Sequence, residues 1–325
     1  MKLLVLGGTQ FVGRRIVEAA LERGHAVTLF HRGTTNPGLF TESEEILGDR
    51  DGGLGALSGL RWDAVLDVNG YVPRLVRDSV RALTGDPGTR YLFISTLSVL
   101  ASFTIPHQTE ATARVSFEGI DTETITNETY GPLKAACEDV VEREIPGRHV
   151  ILRPGFIVGP WDHTGRFNYW LRRFSEGGTM LVPGTEDSPV QVIDARDLGA
   201  FAIHALEARK EGLYHTIGPK DPTTWGDVFE ETRRLTGVTT SVEYVAEEFL
   251  SSRGVTLPMR FHAVDGLERT SAVKAMAEGL TFRPLADTIR ETLEWDREHG
   301  RRDVGLTPER ERELLAEWER ARRAA

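Results

Sequence analysis

The chain has 325 residues, 40% of them hydrophobic, and a formal net charge of −10. Such a length holds one large or two modest domains with an ordinary buried core, and the acidic balance repels nucleic acid and anionic membrane surfaces. No stretch reaches the roughly 18 uninterrupted apolar residues of a membrane span, and the single cysteine, Cys137, excludes an internal disulfide. With no Cys/His cluster at metal-ligand spacing, and a strand rather than a leader at its start, the chain is expected to be a cytoplasmic globular protein without a structural metal.

The first residues, Met1-Lys2-Leu3-Leu4-Val5-Leu6, read as a buried strand that breaks at Gly7-Gly8-Thr9 and passes through Gln10-Phe11-Val12-Gly13 into a helix over 13–23. Glycines at such a turn let the backbone approach a pyrophosphate, and the N–H groups at the helix start supply donors and partial positive charge. Gln10 departs from the usual glycine spacing, which asks for a middle glycine there. Further short strands are expected at 26–30, 45–47, 64–68, 91–95 and 150–152, with a second helix at 74–83. Strands alternating with helices predict an α/β fold, a Rossmann-like doubly wound parallel sheet with right-handed crossovers.

After Arg153-Pro154-Gly155 the alternation stops in favour of aromatic and Gly/Pro-rich segments. It resumes with a strand at 190–193, a helix at 195–208 and a strand at 213–217, all assigned back to the main sheet. The chain therefore divides into a dinucleotide-binding domain, 1–153 and 190–218, and a smaller discontinuous substrate lobe, 154–189 and 219–325. Thr307-Pro308 opens a terminal amphipathic helix through Arg322.

Cofactor type is written after the second strand, where the adenosine ribose lies in such folds. Here stands His31-Arg32-Gly33, with no acidic residue to take two ribose hydroxyls and an arginine able to clamp a 2′-phosphate. NADP(H) is favoured, with NAD(H) as the alternative. Asp49, after the third strand, is placed to accept from the adenine amino group or simply to shape an acidic turn.

Two polar hydroxyls, Ser95 and Thr96, end the apolar run of the fifth strand, and Tyr130-Gly131-Pro132-Leu133-Lys134 follows later. Tyr130 and Lys134 are one helical turn apart on one face, and Thr129 as N-cap would put Pro132 in the first turn. The pattern suits proton transfer coupled to hydride transfer at a carbonyl or carbinol carbon. In that reading a nearby ammonium lowers the tyrosine pKa toward the working pH, and Thr96 bonds the substrate oxygen.

Together, Gly7-Gly8-Thr9, Phe11-Val12-Gly13, Ser95-Thr96, Tyr130 to Lys134 and Arg153-Pro154-Gly155 resemble the extended short-chain dehydrogenase/reductase superfamily. Asp67-Val68-Asn69-Gly70-Tyr71 and Val192-Ile193-Asp194-Ala195-Arg196-Asp197-Leu198 are similar to segments of its bacterial NAD-dependent epimerase/dehydratase ("reductase") group. The resemblance implies Tyr130 as acid/base, Lys134 as its helper and holder of the nicotinamide ribose, and Thr96 as hydroxyl partner. The cofactor set it implies is Gly7, Thr9, Gln10, Phe11, Val12, Gly13, His31, Arg32, Asp49, Arg50, Asn69, Lys134 and Pro154. It also implies a homodimer through the helices at 74–83 and 130–143. Sugar-nucleotide dehydratases are similar at Thr96 but follow it with Asp-Glu; Leu97-Ser98 stand here, which disfavours dehydration and leaves oxidation/reduction or epimerisation.

The stretch from Trp161 to Trp170 is the most unusual of the second half. Substrate contacts are expected from Ser98, Trp161, His163, Arg166, Tyr169 and Gln191, with Arg166 or His163 meeting an acid or phosphate and Trp161 stacking on a ring. Core packing is the alternative for its aromatics. The function expected is an NAD(P)-dependent oxidoreductase acting on a small sugar-derived or natural-product compound; a sugar epimerase with retained cofactor is the alternative. Because the superfamily also includes chloroplast stem-loop RNA-binding proteins, a non-catalytic nucleotide-sensing or RNA-binding protein is the rival from another class.

Overall fold

The structure, a computed structural model, describes residues 1–259, 266–300 and 303–324. Residues 260–265, 301–302 and 325 of the expected substrate lobe lie outside the described residues.

The first part of the chain runs β1 (Lys2–Leu6), α1 (Phe11–Glu22), β2 (Ala26–His31), β3 (Glu44–Leu47), β4 (Ala64–Asp67), α2 (Pro73–Leu83), β5 (Arg90–Ile94), α3 (Asn127–Glu144) and β6 (His149–Pro154). It continues through β7 (Phe156–Val158), α4 (Arg166–Ser175), β8 (Gly178–Pro183), β9 (Val192–Asp194), α5 (Ala195–Glu207) and β10 (Gly212–Thr216). The remainder is α6 (Trp225–Thr236), β11 (Thr240–Val245), α7 (Glu247–Ser251), α8 (Val273–Ala277), α9 (Leu285–His299) and α10 (Pro308–Ala324).

A seven-stranded sheet in the order β10-β6-β5-β4-β1-β2-β3 forms the centre, parallel throughout. Leu3-Leu4-Val5-Leu6 shows no polar alternation because both faces of β1 are covered. Leu3 and Val5 join the apolar cluster that includes Ile16 of α1 and Leu198 of α5, whereas Leu4 and Leu6 join Val76 of α2 and Val140 of α3. The strand order reverses between β1 and β4, and the crevice beyond their carboxyl ends is where open sheets of this kind collect ligands.

The segment assigned to the main sheet at 190–193 does not join it. β9 pairs with β7 in a separate two-stranded sheet, since β10 already occupies the edge beside β6, and Val192 exchanges backbone hydrogen bonds with Gly218. Phe167, Trp170 and Phe174 of α4 pack on Trp225 and Phe229 of α6 and on Ile289 and Leu293 of α9. On a second small sheet, β8 with β11, α10 lays Leu314 against Leu181.

Helices α1 and α5 touch backbone to backbone at Gly199, where a Cβ would stand 2.7 Å from the Arg15 carbonyl oxygen. Gly199→Ala should therefore lower the urea midpoint with an unchanged slope, despite alanine's gain of about 1 kcal/mol in helix propensity. An unchanged or raised midpoint would contradict this packing.

Candidate functional site

The turn from β1 into α1 is built for close approach. Gly7 and Gly8 both sit at φ +101°, and a Cβ on Gly8 would lie 2.9 Å from a Leu29 methyl carbon. A Cβ on Gly13 would come within 2.9 Å of the Gly8 Cα, so glycine there lets the helix start against the turn. Gln10, the departure from the glycine spacing, is the N-cap residue at φ −138°, where any side chain fits. It gives no side-chain cap, which leaves the first N–H groups of α1 to other acceptors.

This turn forms one end of a cleft of about 660 Å³ that runs past β2, β4 and β5 to the start of α4. At the β2 end His31 Nδ1 accepts from the Gly33 N–H at 3.0 Å, fixing the turn that carries Arg32. Arg32 is exposed on the cleft and makes no hydrogen bond or ion pair with any described residue. Asp49 lines the same end and accepts from the Asp51 N–H at 3.0 Å. Arg50 also lines it, but its guanidinium grips buried Asp67 at 2.9 and 2.8 Å and reaches Asn69 Oδ1 at 3.2 Å.

At the far end α3 delivers Tyr130 to Thr96. The helix begins earlier than expected: Thr126, not Thr129, is the N-cap, and Thr129 closes a capping box by accepting from the Thr126 N–H at 2.8 Å. Pro132 consequently sits inside the helix rather than in its first turn. Gly131 allows α3 to reach the turn at 97–99, since a Cβ there would lie 2.4 Å from the Ser98 carbonyl oxygen. Tyr130 and Thr96 both line this end of the cleft, where the Thr96 hydroxyl favours the ionised phenol; Thr96 Oγ1 itself accepts from the Ser98 N–H at 3.1 Å and donates to Ser98 Oγ at 3.2 Å. Lys134 is buried behind the cleft wall, donating to the Gly70 and Ile94 carbonyls, each at 2.7 Å, with its Nζ 4.0 Å from the Phe93 ring centroid.

No family model matches the chain. In sequence it is 26% identical over 238 residues to the chloroplast stem-loop binding protein of 41 kDa b of Arabidopsis thaliana, which covers 67% of this chain and 59% of that protein's length. In structure it matches UDP-glucuronic acid 4-epimerase from Bacillus cereus in complex with NAD, with a TM-score of 0.69, 16% identity and 92% and 99% of the two chains covered. A UDP-glucose 4-epimerase of Thermotoga maritima with UDP-glucose gives a TM-score of 0.66 at 17% identity, with 92% and 99% covered. The UDP-glucose 4-epimerase of Thermus thermophilus in complex with NAD gives 0.65 at 19%, with 91% and 99% covered. The chain shares the fold of these epimerases, built on a Rossmann-like parallel sheet.

Within that fold the cleft brings together the glycine turn, His31, Arg32, Asp49, Arg50, Asn69, Thr96, Ser98, Tyr130, Pro154, His163, Arg166 and Gln191. It does not bring in Trp161, whose indole lies under the Arg14 guanidinium, or Tyr169, buried in the core of α4 against Gly305. The Gln191 side chain is spent on the Thr270 backbone, donating at 3.1 Å and accepting at 2.9 Å. Sequence reasoning missed Tyr71, whose ring faces that of Tyr130 at 6.3 Å, and Glu268, buried beside Gln191 and accepting from its N–H at 2.7 Å. Tyr71 had a signal, because it ends the Asp67 to Tyr71 segment. Glu268 had none, being carried in by backbone bonds such as Leu267 N–H to the Phe103 carbonyl.

The electrostatics differ from expectation. Burial, helped by Tyr71, pushes the Tyr130 phenol up to about 12, against the opposing pull of the Thr96 hydroxyl and the Arg166 charge. Lys134, expected to lower the phenol, turns its ammonium to two main-chain carbonyls, and burial lowers Lys134 itself to about 8. Tyr130 thus keeps its proton at neutral pH and is poised to donate it. Titration of phenolate absorbance should show no difference between the wild type and Tyr130→Phe at pH 10, where an ordinary tyrosine is half ionised. A one-phenol difference already present at pH 10 would contradict the burial of Tyr130.

Proposed function

We propose that this chain is a nicotinamide-dinucleotide-dependent oxidoreductase acting on a carbonyl or hydroxyl carbon of a small sugar-derived or natural-product compound. One observation carries the reading: a phenol and a threonine hydroxyl stand together at the far end of a cleft whose near end is a glycine turn under an uncapped helix. The turn at 7–13 would take the pyrophosphate, Asn69 and Pro154 would flank the nicotinamide half, and Lys134 would offer its remaining N–H toward the ribose. When bound, the nicotinamide gives or takes a hydride at the substrate carbon. Tyr130 supplies the proton to the substrate oxygen, and Thr96 donates to the same oxygen and steadies its developing charge. Arg166, with Nε held by Thr164 Oγ1 at 3.1 Å and no ion pair to any described residue, orients an acidic group of the substrate.

Arg32 favours NADP(H), with NAD(H) as the alternative, by offering an unpaired guanidinium where a 2′-phosphate would lie. The same reading carries a cytoplasmic address and a homodimer paired through α2 and α3. An epimerase that retains its cofactor uses the same residues. The stem-loop-binding relative raises an RNA reading, but a net charge of −10 opposes it.

Two variants test the proposal. Tyr130→Phe should lower turnover of a carbonyl substrate about 10²–10⁴-fold while leaving nucleotide affinity within about threefold; unchanged turnover removes Tyr130 as the proton donor. Arg32→Ala should weaken NADP⁺ binding at least about tenfold and leave NAD⁺ binding alone. Equal losses for both nucleotides would remove the 2′-phosphate role.

A further inference from the structure

Trp161 is conspicuous among residues outside the cleft because its backbone is left-handed, at φ +76°, a conformation that bulky side chains rarely adopt. A strained residue of this kind persists only where its surroundings hold it, and here the Trp161 ring is held by Arg14 of α1 and by Trp295 and His299 of α9, whose ring centroids lie 5.9 and 5.1 Å away. The Arg14 guanidinium carbon lies 3.7 Å from the centroid of the indole. Arg14 is itself fixed, its Nε donating to Glu18 at 2.7 Å, and it follows Gly13 of the cradle in the first turn of α1.

From Trp161 the chain leads straight into the cleft. Asp162 accepts from the Thr164 N–H at 2.8 Å and from its hydroxyl at 2.6 Å, and the Thr164 hydroxyl in turn accepts from Arg166 Nε at 3.1 Å. His163 meets the Phe11 ring edge-on, with centroids 6.2 Å apart, a second contact between this loop and the start of α1. The loop is therefore pinned to the cofactor helix at two points, and its far end carries the cation of the substrate end.

We propose that Trp161 is a positioning residue, a clasp between α1 and the loop 159–166, through which filling the cradle at 7–13 also sets Arg166 and His163 in the cleft. The inference rests on the nucleotide-binding reading above. Coupling of this kind is reciprocal: a ligand held by Arg166 tightens nucleotide binding by the factor by which nucleotide tightens it.

Amide hydrogen exchange on the full chain, with and without saturating NADP⁺ or NAD⁺, separates the possibilities without needing the substrate. In the wild type, nucleotide should slow exchange at both 7–13 and 159–166. In Trp161→Ala the protection at 7–13 should remain while that at 159–166 falls about tenfold, and Trp161→Phe, which keeps an aromatic face under Arg14, should restore most of it. Arg14→Ala breaks the same contact without altering the loop, so it gives the answer even if Trp161→Ala fails to fold. Protection at 159–166 that matches the wild type in Arg14→Ala overturns the clasp. Nucleotide that protects neither segment of the wild type overturns the cofactor reading and the clasp with it.

Discussion

One row of side chains on α3 holds the site together. Tyr130, Lys134 and Glu138 are spaced four apart and so lie on one face of the helix. Each meets a different part of the sheet: Tyr130 stands beside Thr96 beyond β5, Lys134 is bonded to the Gly70 and Ile94 carbonyls after β4 and on β5, and Glu138 to Arg153 of β6. The Glu138–Arg153 pair is almost wholly buried, with bonds of 2.9 and 2.6 Å, and Arg114 adds a third at 3.0 Å. A buried charge without such partners costs several kcal/mol, so sliding α3 by one residue would strand two charges at once. The helix is thereby registered against three neighbouring strands, and the position of the phenol follows from that register.

This anchoring also explains why a proline is tolerated in the middle of α3. Pro132 removes the N–H that would have reached the Glu128 carbonyl, a loss ordinarily worth about 3 kcal/mol in a helix interior. It lies buried between Tyr130 and Lys134, next to Gly131, on the part of the helix pressed against the turn at 97–99. The expected start at Thr129 followed from the usual rule that proline belongs in a first turn. The structure instead satisfies the helix start with the Thr126–Thr129 capping box and meets the cost of the proline through tertiary contacts.

What was legible in the sequence was what local pattern dictates. The unbroken apolar strands and the glycines at 7, 8 and 13 follow from two-sided burial and from backbone approach, and both leave their mark on neighbouring residues. Tyr130 and Lys134 were legible as a pair because helical spacing puts them on one face, and Thr96 because it ends a strand; grouping the three rested on the resemblance to a known family. Long-range pairings were not. Nothing local says that β9 pairs with β7, that Arg14 claims Trp161, that Tyr169 turns into the core, or that Glu268 arrives beside Gln191. Nor does spacing reveal that Lys134 spends its hydrogen bonds on main-chain carbonyls instead of on the charge of Tyr130. The acidic total hides a further feature: Arg32 and Arg166 stand at opposite ends of the cleft without an ion pair to any described residue, although Asp49 and Glu268 line it too.

The central claim is that this cleft is a nicotinamide-dinucleotide site, and calorimetry tests it most directly. The purified protein, freed of any carried-over nucleotide by mild denaturation and refolding, would be titrated with NADPH and with NADH. The account predicts saturable binding of one nucleotide per chain, tighter for NADPH. Absence of binding heat for both nucleotides, with the refolded protein intact by circular dichroism, would contradict it.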